Sequence, residues 1–283
     1  MNRRLATAFL ALATVTTSAH AQKHRSSSWL ENADGAETCR DIWDKYGSYG
    51  NSDADAVYCE IRNVGSLNQK SLRAEAGENG GVMVRGEARS DVMVQLVIQA
   101  QARTVDDARR LAKDVSIDLS ARTLHPENVG SFGRGRRVAA VVVLTTPRNI
   151  DLSLSARNGP LSVARVNGAL DLETVNGPLD LSDIGGDVHA RTTNGPLSIH
   201  LTGTRWDGAG LDASAQNGPL SLAIPRNYSA ELETGTSNGP MDTDYPITVT
   251  RFDGKRIRTT LGSGGPRIRA TTENGPMSLH MSR

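Results

Sequence analysis

The chain has 283 residues, a formal net charge of +1 at pH 7 and only 4% aromatic residues. A nearly neutral chain offers no basic surface for capturing nucleic acid, so no nucleic-acid partner is predicted. No stretch approaches 18 consecutive apolar residues, which predicts no transmembrane segment. Gly-rich phosphate loops and zinc-binding helix motifs are also absent from the sequence, which predicts no cofactor and no metal site.

The first residues have the form of an export signal. Arg3 and Arg4 precede an apolar run over 5–15, and residues 19–21 (Ala-His-Ala) form a small-x-small cleavage site. We therefore predict a signal peptide over 1–21 and a mature protein in the periplasm, secreted, or on the surface of a bacterium. No cysteine follows the apolar run directly, which argues against a lipoprotein anchor.

The segment 22–65 contains the only two cysteines of the chain, Cys39 and Cys59. An even pair in an exported protein predicts a disulfide, which stabilises a fold by about 3 kcal/mol. Aromatic residues surround the pair, namely Trp29, Trp43, Tyr46, Tyr49 and Tyr58. Two interpretations stay open. The rings either pack against the body of the protein or form a surface on which a ligand stacks.

Residues 66–150 are predicted to form a β-rich cap with one helix. Apolar patterns over 72–76, 82–86, 92–102 and 138–145 indicate strands. Such a cap is expected next to a repeat region, because an uncovered first coil exposes apolar side chains and unpaired strand edges.

The helix is predicted over about 105–115. Thr104 is a good N-cap, Asp107 follows three residues later, and an apolar stripe continues along one face. We expect this helix to cover an open sheet face or the first coil of the repeats.

Residues 151–283 are divided by six copies of Asn-Gly-Pro-Leu/Met. The copies begin at Asn158, Asn176, Asn194, Asn217, Asn238 and Asn274. A similar nine-residue segment precedes each of the last five, at 167–175, 185–193, 208–216, 229–237 and 265–273. One coil is therefore two strands and two corners, and repetition of one supersecondary unit is the signature of a solenoid.

Alternation within these segments predicts the fold class. Position +3 from each corner is apolar in both sets: Leu161, Leu179, Leu197, Leu220, Met241 and Met277, and Leu170, Val188, Leu211, Leu232 and Ile268. Positions +4 and +6 are mostly polar, which indicates strands with one buried face. We predict an all-β protein whose repeats form a parallel β-helix. A sandwich of antiparallel hairpins is disfavoured, because the fixed proline cannot donate to the ladder of a return strand.

The corners are predicted to be structural. Asn and Gly tolerate left-handed backbone angles, and Pro restricts the glycine before it to an extended conformation. The six stacked asparagines are expected to form a ladder of side-chain amides, as identical side chains do in cross-β stacks. Six solvated turns without a ladder are the alternative.

A polar column is the candidate catalytic feature. Position +4 of the second set places Asp171, His189, Asp212 and Glu233 on consecutive coils, facing outward. Carboxylates and an imidazole at this spacing suit acid–base chemistry on a polysaccharide or cation binding. A solvated face of mixed charge is the favoured interpretation, because alternating signs along a sheet relieve repulsion.

Insertions at the second corner carry the aromatic residues of the repeat region. These are Trp206, Tyr228, Tyr245 and Phe252. Insertions stacked on one side of a solenoid often build its binding face, so these rings are a candidate binding edge for sugar or a protein partner. Packing of the rings beneath their own loops is the favoured alternative.

Several stretches resemble a known family. LRAEAGENGGVMVRG, the helix, TTPRNIDL, TTNGPLSIHLTG and LETGTSNGPM are similar to the bacterial β-strand-repeat proteins labelled "putative adhesins". The resemblance covers roughly residues 60–283, although family members more often carry Asn-Gly-Gly where this chain has Asn-Gly-Pro. It implies an exported β-solenoid protein of the bacterial envelope and supplies no catalytic residues.

These observations favour a non-catalytic envelope protein that binds, adheres or scaffolds through a β-solenoid surface. The partner expected is an envelope glycan or an envelope protein. The alternative is a β-helix enzyme that acts on a polysaccharide through the outward carboxylates, which would need to converge within about 5–10 Å in one groove.

Overall fold

The structure is a computed structural model that describes residues 56–133, 135–246, 251–253 and 255–282. The side chains of 251–253 are not among the described atoms. The predicted signal peptide and Cys39 lie outside the described residues, so the export signal and the disulfide stay predictions.

The described chain is almost entirely β-structure with one helix. The cap contains β1 (Ala56–Leu67), β2 (Ser71–Glu75), β3 (Gly80–Glu87), β4 (Val92–Ala102), α1 (Val105–Lys113), β5 (Ser116–Ile117), β6 (Pro126–Glu127), β7 (Gly130–Ser131) and β8 (Arg137–Pro147). The first repeats contain β9 (Asp151–Asn158), β10 (Leu161–Ala164), β11 (Asn167–Asn176), β12 (Leu179–Ser182), β13 (Gly185–Asn194), β14 (Leu197–His200), β15 (Gly210–Asn217) and β16 (Leu220–Pro225). The remaining strands are β17 (Ala230–Asn238), β18 (Met241–Thr243), β19 (Arg251–Asp253), β20 (Arg256–Leu261), β21 (Arg267–Asn274) and β22 (Met277–Ser282).

Two large sheets face each other across the main core. Sheet A has the strand order β1-β4-β8-β3-β10-β12-β14-β16-β22-β18, with β7 beside β8, and sheet B has the order β19-β20-β17-β21-β15-β13-β11-β9-β2. Each Asn-Gly-Pro corner joins a strand of sheet B to a strand of sheet A. The all-β prediction is confirmed.

The sheets are mixed, which corrects the prediction of a wholly parallel arrangement. Repeat strands pair in parallel with the equivalent strand of a neighbouring repeat. Antiparallel pairs occur at both ends, between β1, β4 and β8 in the cap and between β17, β20 and β19 at the far end. At these ends no further repeat is available, and among these pairs only β19 and β20 are joined by a short hairpin connection.

The last repeat does not lie at the end of the stack. Strand β21 pairs with both β15 and β17, and β22 pairs with both β16 and β18. The copy that begins at Asn274 therefore lies between those that begin at Asn217 and Asn238. Spatial order differs from chain order at this one place among the six copies.

The corner glycines are needed for close approach rather than for a left-handed conformation. None of the six has a φ in the positive range. A Cβ on Gly195 would lie 2.0 Å from the carbonyl oxygen of Gly177, and one on Gly218 would lie 2.0 Å from that of Gly195. A side chain at these positions would push neighbouring repeats apart. A seventh corner, Asn79-Gly80-Gly81, makes the same approach and was missed in the sequence because glycine replaces its proline.

The asparagine ladder is present and complete. Asn158 Nδ2 donates to the Glu78 carbonyl oxygen (2.7 Å). Each other asparagine donates to its neighbour's Oδ1 over 2.8–3.0 Å, in the order Asn176 to Asn158, Asn194 to Asn176, Asn217 to Asn194, Asn274 to Asn217 and Asn238 to Asn274. The ladder prediction is confirmed, with the last copy in its inserted place.

The predicted inward positions form the core. In the Asn-Gly-Pro set, Leu161, Leu179, Leu197, Leu220 and Met277 are at most 1% exposed, and all five members of the second set are buried. Met241 is only half-buried because β18 is the last strand of its sheet. Buried threonines two residues before four of the corner asparagines also donate to glycine carbonyl oxygens of neighbouring corners: Thr174, Thr192, Thr236 and Thr272.

Helix α1 covers the cap as expected but is shorter than predicted. Thr104 Oγ1 accepts from the Asp107 amide (3.2 Å), which confirms the N-cap. Ala108, Leu111 and Ala112 are buried against the main core, whereas Val105 is exposed. On the outer face of the neighbouring strands β3, β4 and β8, apolar residues form a second buried cluster that includes Met83, Val97 and Val141.

The face assignment can be tested with two adjacent residues of β16. Leu220→Asp places a carboxylate in the core without a partner, and we expect a loss of several kcal/mol in the free energy of unfolding or failure to fold. Ser221→Asp is the matched control, because its side chain is on the outer face of the same strand between two serines. Urea unfolding followed by circular dichroism measures both. Equal stabilities would contradict the inward assignment.

The corner can be tested by comparing Gly218→Ala with Asn217→Ala. The asparagine change removes two exposed amide hydrogen bonds, so we expect a loss of about 1 kcal/mol. The glycine change places a methyl group against the backbone of the next repeat, so its loss should be at least twofold larger. A Gly218→Ala protein as stable as Asn217→Ala would rule out close approach as the reason for the glycine.

Candidate functional site

The predicted polar column is interrupted by a cation. The strand register places Asp171 opposite His189, and His189 opposite Asp212. Arg269 of the inserted repeat then lies between Asp212 and Glu233. Its guanidinium binds Asp212 Oδ1 (2.7 Å) and contacts Glu233 Oε1 (3.5 Å). The four residues predicted as neighbours therefore do not form a continuous acid–base set, because the last repeat enters between the third and the fourth.

Glu233 is the centre of an ion-pair cluster. Its side chain is only 8% exposed, and Oε2 lies 2.5 Å from Arg267 and 3.4 Å from Arg258. Burial alone would raise the pKa of Glu233. The hydrogen bond from Arg267 and the charges of Arg267, Arg258 and Arg269 outweigh burial and hold this pKa below its ordinary value of 4.5. Glu233 is therefore an ionised structural partner at neutral pH.

His189 makes weaker electrostatic contacts than Glu233 does. Its Nε2 lies 3.5 Å from Asp187 Oδ1, and both side chains are well exposed. Within the described ranges, no cluster of three or more His, Cys, Asp or Glu side chains has the geometry of a metal site.

The aromatic residues of the insertions do not form an exposed edge, which corrects that hypothesis. Trp206, Tyr228 and Tyr245 are 3%, 2% and 6% exposed. Trp206 Nε1 donates to the Gly186 carbonyl oxygen (2.9 Å), and Tyr245 Oη donates to that of Pro225 (2.9 Å). Burial raises the pKa of Tyr228 to about 12. The rings pack beneath their loops and cover the second corner, because burying an aromatic ring stabilises the fold more than leaving it exposed to solvent. The side chain of Phe252 lies outside the described atoms.

The outer face of sheet B, rather than the second corner, carries the cavities of the described residues that could hold an extended ligand. At the cap end, a cavity of about 710 Å³ lies between β2, β9, β11 and β13 and the loop Ser120–Arg122. A second of about 230 Å³ shares Asp171 and His189 with the first. A third of about 400 Å³ shares Arg191, Ser214 and Arg269 with the second. We call these three adjoining cavities the trough; they follow one another from β2 to β21, a distance of about 24 Å at 4.8 Å per strand.

The cap supplies one wall of the trough. Leu124 pairs with the free edge of β2, since its amide donates to the Arg73 carbonyl oxygen (2.9 Å) and its carbonyl oxygen accepts from Glu75 (2.9 Å). This pairing holds the preceding loop, Ser120–Arg122, over the first strands of sheet B. Sequence patterns indicate the outward polar positions, but the wall comes from residues that are distant in the chain, so the trough could not be predicted.

Charge varies along the trough. The cap end is lined by Asp151, Asp171 and Asp187 together with Arg73 and Arg122. The far end has three arginines and a single carboxylate, Arg191, Arg256, Arg269 and Glu273. Serine, threonine and glutamine side chains lie between these charges. The trough therefore offers hydrogen-bond donors and acceptors at each strand spacing and no aromatic platform.

The role of Glu233 can be tested by pH. Glu233→Gln should lower the free energy of unfolding by about 1–2 kcal/mol at pH 7, because charge-assisted hydrogen bonds are lost. A lowered folded-state pKa stabilises the protein above pH 4.5, and this contribution disappears as pH falls through the lowered pKa. The difference between wild type and variant should therefore shrink below pH 4. Urea unfolding of both proteins from pH 7 to pH 3 measures it.

Glu231→Gln is the matched control, because this carboxylate lies on the outer face of the same strand and hydrogen-bonds Thr260 without an ion pair among the described residues. A loss at pH 7 equal to that of Glu233→Gln would contradict the ion-pair interpretation.

Within the described residues, no helix is long and apolar enough to cross a membrane. No protein-family model and no curated protein matches the chain.

Several solved structures are similar to this chain at low sequence identity. A "putative cell adhesion protein" from Clostridium sporogenes is 11% identical, covers 80% of this chain and 100% of its own, and has a TM-score of 0.39. A "putative adhesin" from Bacteroides fragilis is 10% identical, with coverages of 80% and 97% and a TM-score of 0.31. A "putative lipid binding protein" from Parabacteroides distasonis is 8% identical, with coverages of 80% and 97% and a TM-score of 0.31. The names of the first two agree with the resemblance drawn from the sequence.

Proposed function

We propose that this protein is exported to the bacterial envelope and acts there by binding an extended glycan along the outer face of sheet B. The observation that carries the proposal is the trough, in which three cavities share lining residues across successive strands. An open, straight and polar site of this length fits a linear polymer better than a compact metabolite, since small-molecule sites are enclosed and mostly apolar.

The repeat region is proposed to be a solenoid that scaffolds this site. Parallel pairing of equivalent strands and the complete asparagine ladder support that interpretation. Repetition along the stack presents polar side chains at a constant spacing, which matches the repetition of a polymer. The backbone of a packed sheet is also held with little freedom, so binding costs little backbone ordering entropy.

A binding role is favoured over hydrolysis by the state of the carboxylates. A general acid needs a pKa raised towards the working pH, whereas the pKa of Glu233 is lowered. Asp212 is ion-paired with Arg269. These two acids stabilise the sheet, so they are poor candidates for acid–base chemistry on a sugar.

The proposal is tested by filling the trough. Ser153→Tyr adds a ring on the outer face of β9, at the floor of the cap-end cavity. Ser221→Tyr adds the same ring on the outer face of sheet A. On an array of bacterial polysaccharides, we expect the wild type and Ser221→Tyr to bind the same glycans and Ser153→Tyr to lose at least tenfold in affinity.

Melting temperatures should stay within a few degrees for both variants, because both positions face outward. Binding that survives Ser153→Tyr, or is lost equally in Ser221→Tyr, would contradict a site on sheet B. An array without any bound glycan would overturn the proposed ligand class.

A further inference from the structure

We propose that the far end of the trough is an anion subsite that recognises the carboxylate or sulfate group of an acidic glycan; this rests on the proposed function and specifies the ligand class. The subsite consists of Arg191, Arg256 and Arg269 around the short residues Ser214 and Thr271.

The strand register places residues with small side chains between two arginines. One row across sheet B reads Arg191, Ser214, Thr271, Gly235 and Arg256, with each residue opposite the next. The two arginine backbones are four strands apart, about 19 Å. Ser214 and Thr271 both have short side chains and line the cavity; Ser214 is half-buried, whereas Thr271 is only 6% exposed and lies at its base. Long arginine side chains can bridge much of that distance from opposite sides.

Gly235 is the member of this row that has no side chain. A Cβ at this position would lie 2.1 Å from the Lys255 carbonyl oxygen, and the φ of Gly235 is +150°. Glycine is therefore required where β17 meets β20, and no side chain can fill the gap between Thr271 and Arg256. The hairpin of β19 and β20 thus places Arg256 at the edge of an open subsite.

The three arginines differ in their hydrogen bonds and ion pairs. Arg269 is fixed by Asp212 (2.7 Å) and is three-quarters buried, so one guanidinium is already ordered. Arg256 donates to Ser237 Oγ (3.3 Å) and has no ion pair among the described residues. Arg191 likewise has no ion pair within the described part of the chain, although Glu173 is its strand neighbour. Two cations are therefore available for an anionic ligand.

The chemistry of these groups selects an oxyanion. Guanidinium groups bind carboxylates and sulfates through paired N–H donors and stay protonated at any working pH. The half-buried hydroxyl group of Ser214 can donate an additional hydrogen bond to the same ligand. Glu273 is the one carboxylate lining this cavity, so cations exceed anions three to one. The cap end carries both signs and has no such excess.

Matched pairs of glycans test the subsite. The probes are polyuronate oligosaccharides with their methyl-esterified counterparts, and sulfated oligosaccharides with their desulfated counterparts. Using isothermal titration calorimetry on the mature full-length protein, we expect at least one acidic probe to bind tenfold or more tightly than its neutral partner. Which pair shows the preference distinguishes carboxylate from sulfate. Affinity for the acidic probe should fall as salt rises from 50 to 300 mM.

The decisive variant is Arg191→Gln/Arg256→Gln, compared with Arg157→Gln as the control on the outer face of β9 outside the subsite. The double variant should lose the preference for the acidic probe while its affinity for the neutral partner changes less than threefold. The control should bind as the wild type does. All three proteins should melt within a few degrees of one another, because the substituted side chains are exposed.

Each outcome decides the proposal. Equal binding of acidic and neutral probes, or a preference retained by the double variant, overturns the subsite. If Ser153→Tyr still abolishes binding in that case, the glycan trough stands and only the anion subsite falls. If no probe binds, the anion subsite is overturned, and the polysaccharide array alone decides whether the trough binds another glycan.

Discussion

Close approach of the backbone at the Asn-Gly-Pro corners is the constraint on which the rest of the structure depends. Each corner glycine lies where a Cβ would be 2.0–2.1 Å from a carbonyl oxygen of the next repeat. Only glycine permits that distance, and the proline beside it fixes the direction of the chain. The corner therefore sets the register of both sheets. Register then decides which outward side chains become neighbours, so the ion pairs and the trough follow from the corner.

Much of the fold could be predicted because the repeats are local and frequent. Alternation over eleven segments identified the inward positions, and Leu197 and Leu220 are fully buried as expected. The N-cap at Thr104 was readable for the same reason, since helix signals span only a few residues. The proline also indicated that the corner glycines are extended, whereas their close approach to a neighbouring corner could not be predicted because it depends on another repeat.

Long-range features could not be predicted. The sequence left two alternatives for Trp206 and Tyr228, an exposed edge and the favoured packing beneath their loops, and only the way each loop folds back over the corner decides for burial. The wall of the trough comes from the pairing of Leu124 with β2, some fifty residues apart in the chain. The position of the last repeat is also non-local, and it changed the composition of the polar column. Each of these features depends on a contact that no sequence window contains.

Outward charges favour the observed position of the last repeat. Because all corners are alike, the ladder of asparagines would accept the repeats in several orders. If β15 lay directly beside β17, Asp212 would be opposite Glu233, and like charges on neighbouring strands are destabilising by roughly 0.2–1 kcal/mol. Insertion of β21 separates the two acids and provides Arg269 to both. Arg267 of the same strand then completes the ion-pair cluster of Glu233. The corners are alike, so they do not select among the repeats, and the charges on the outer face favour this order.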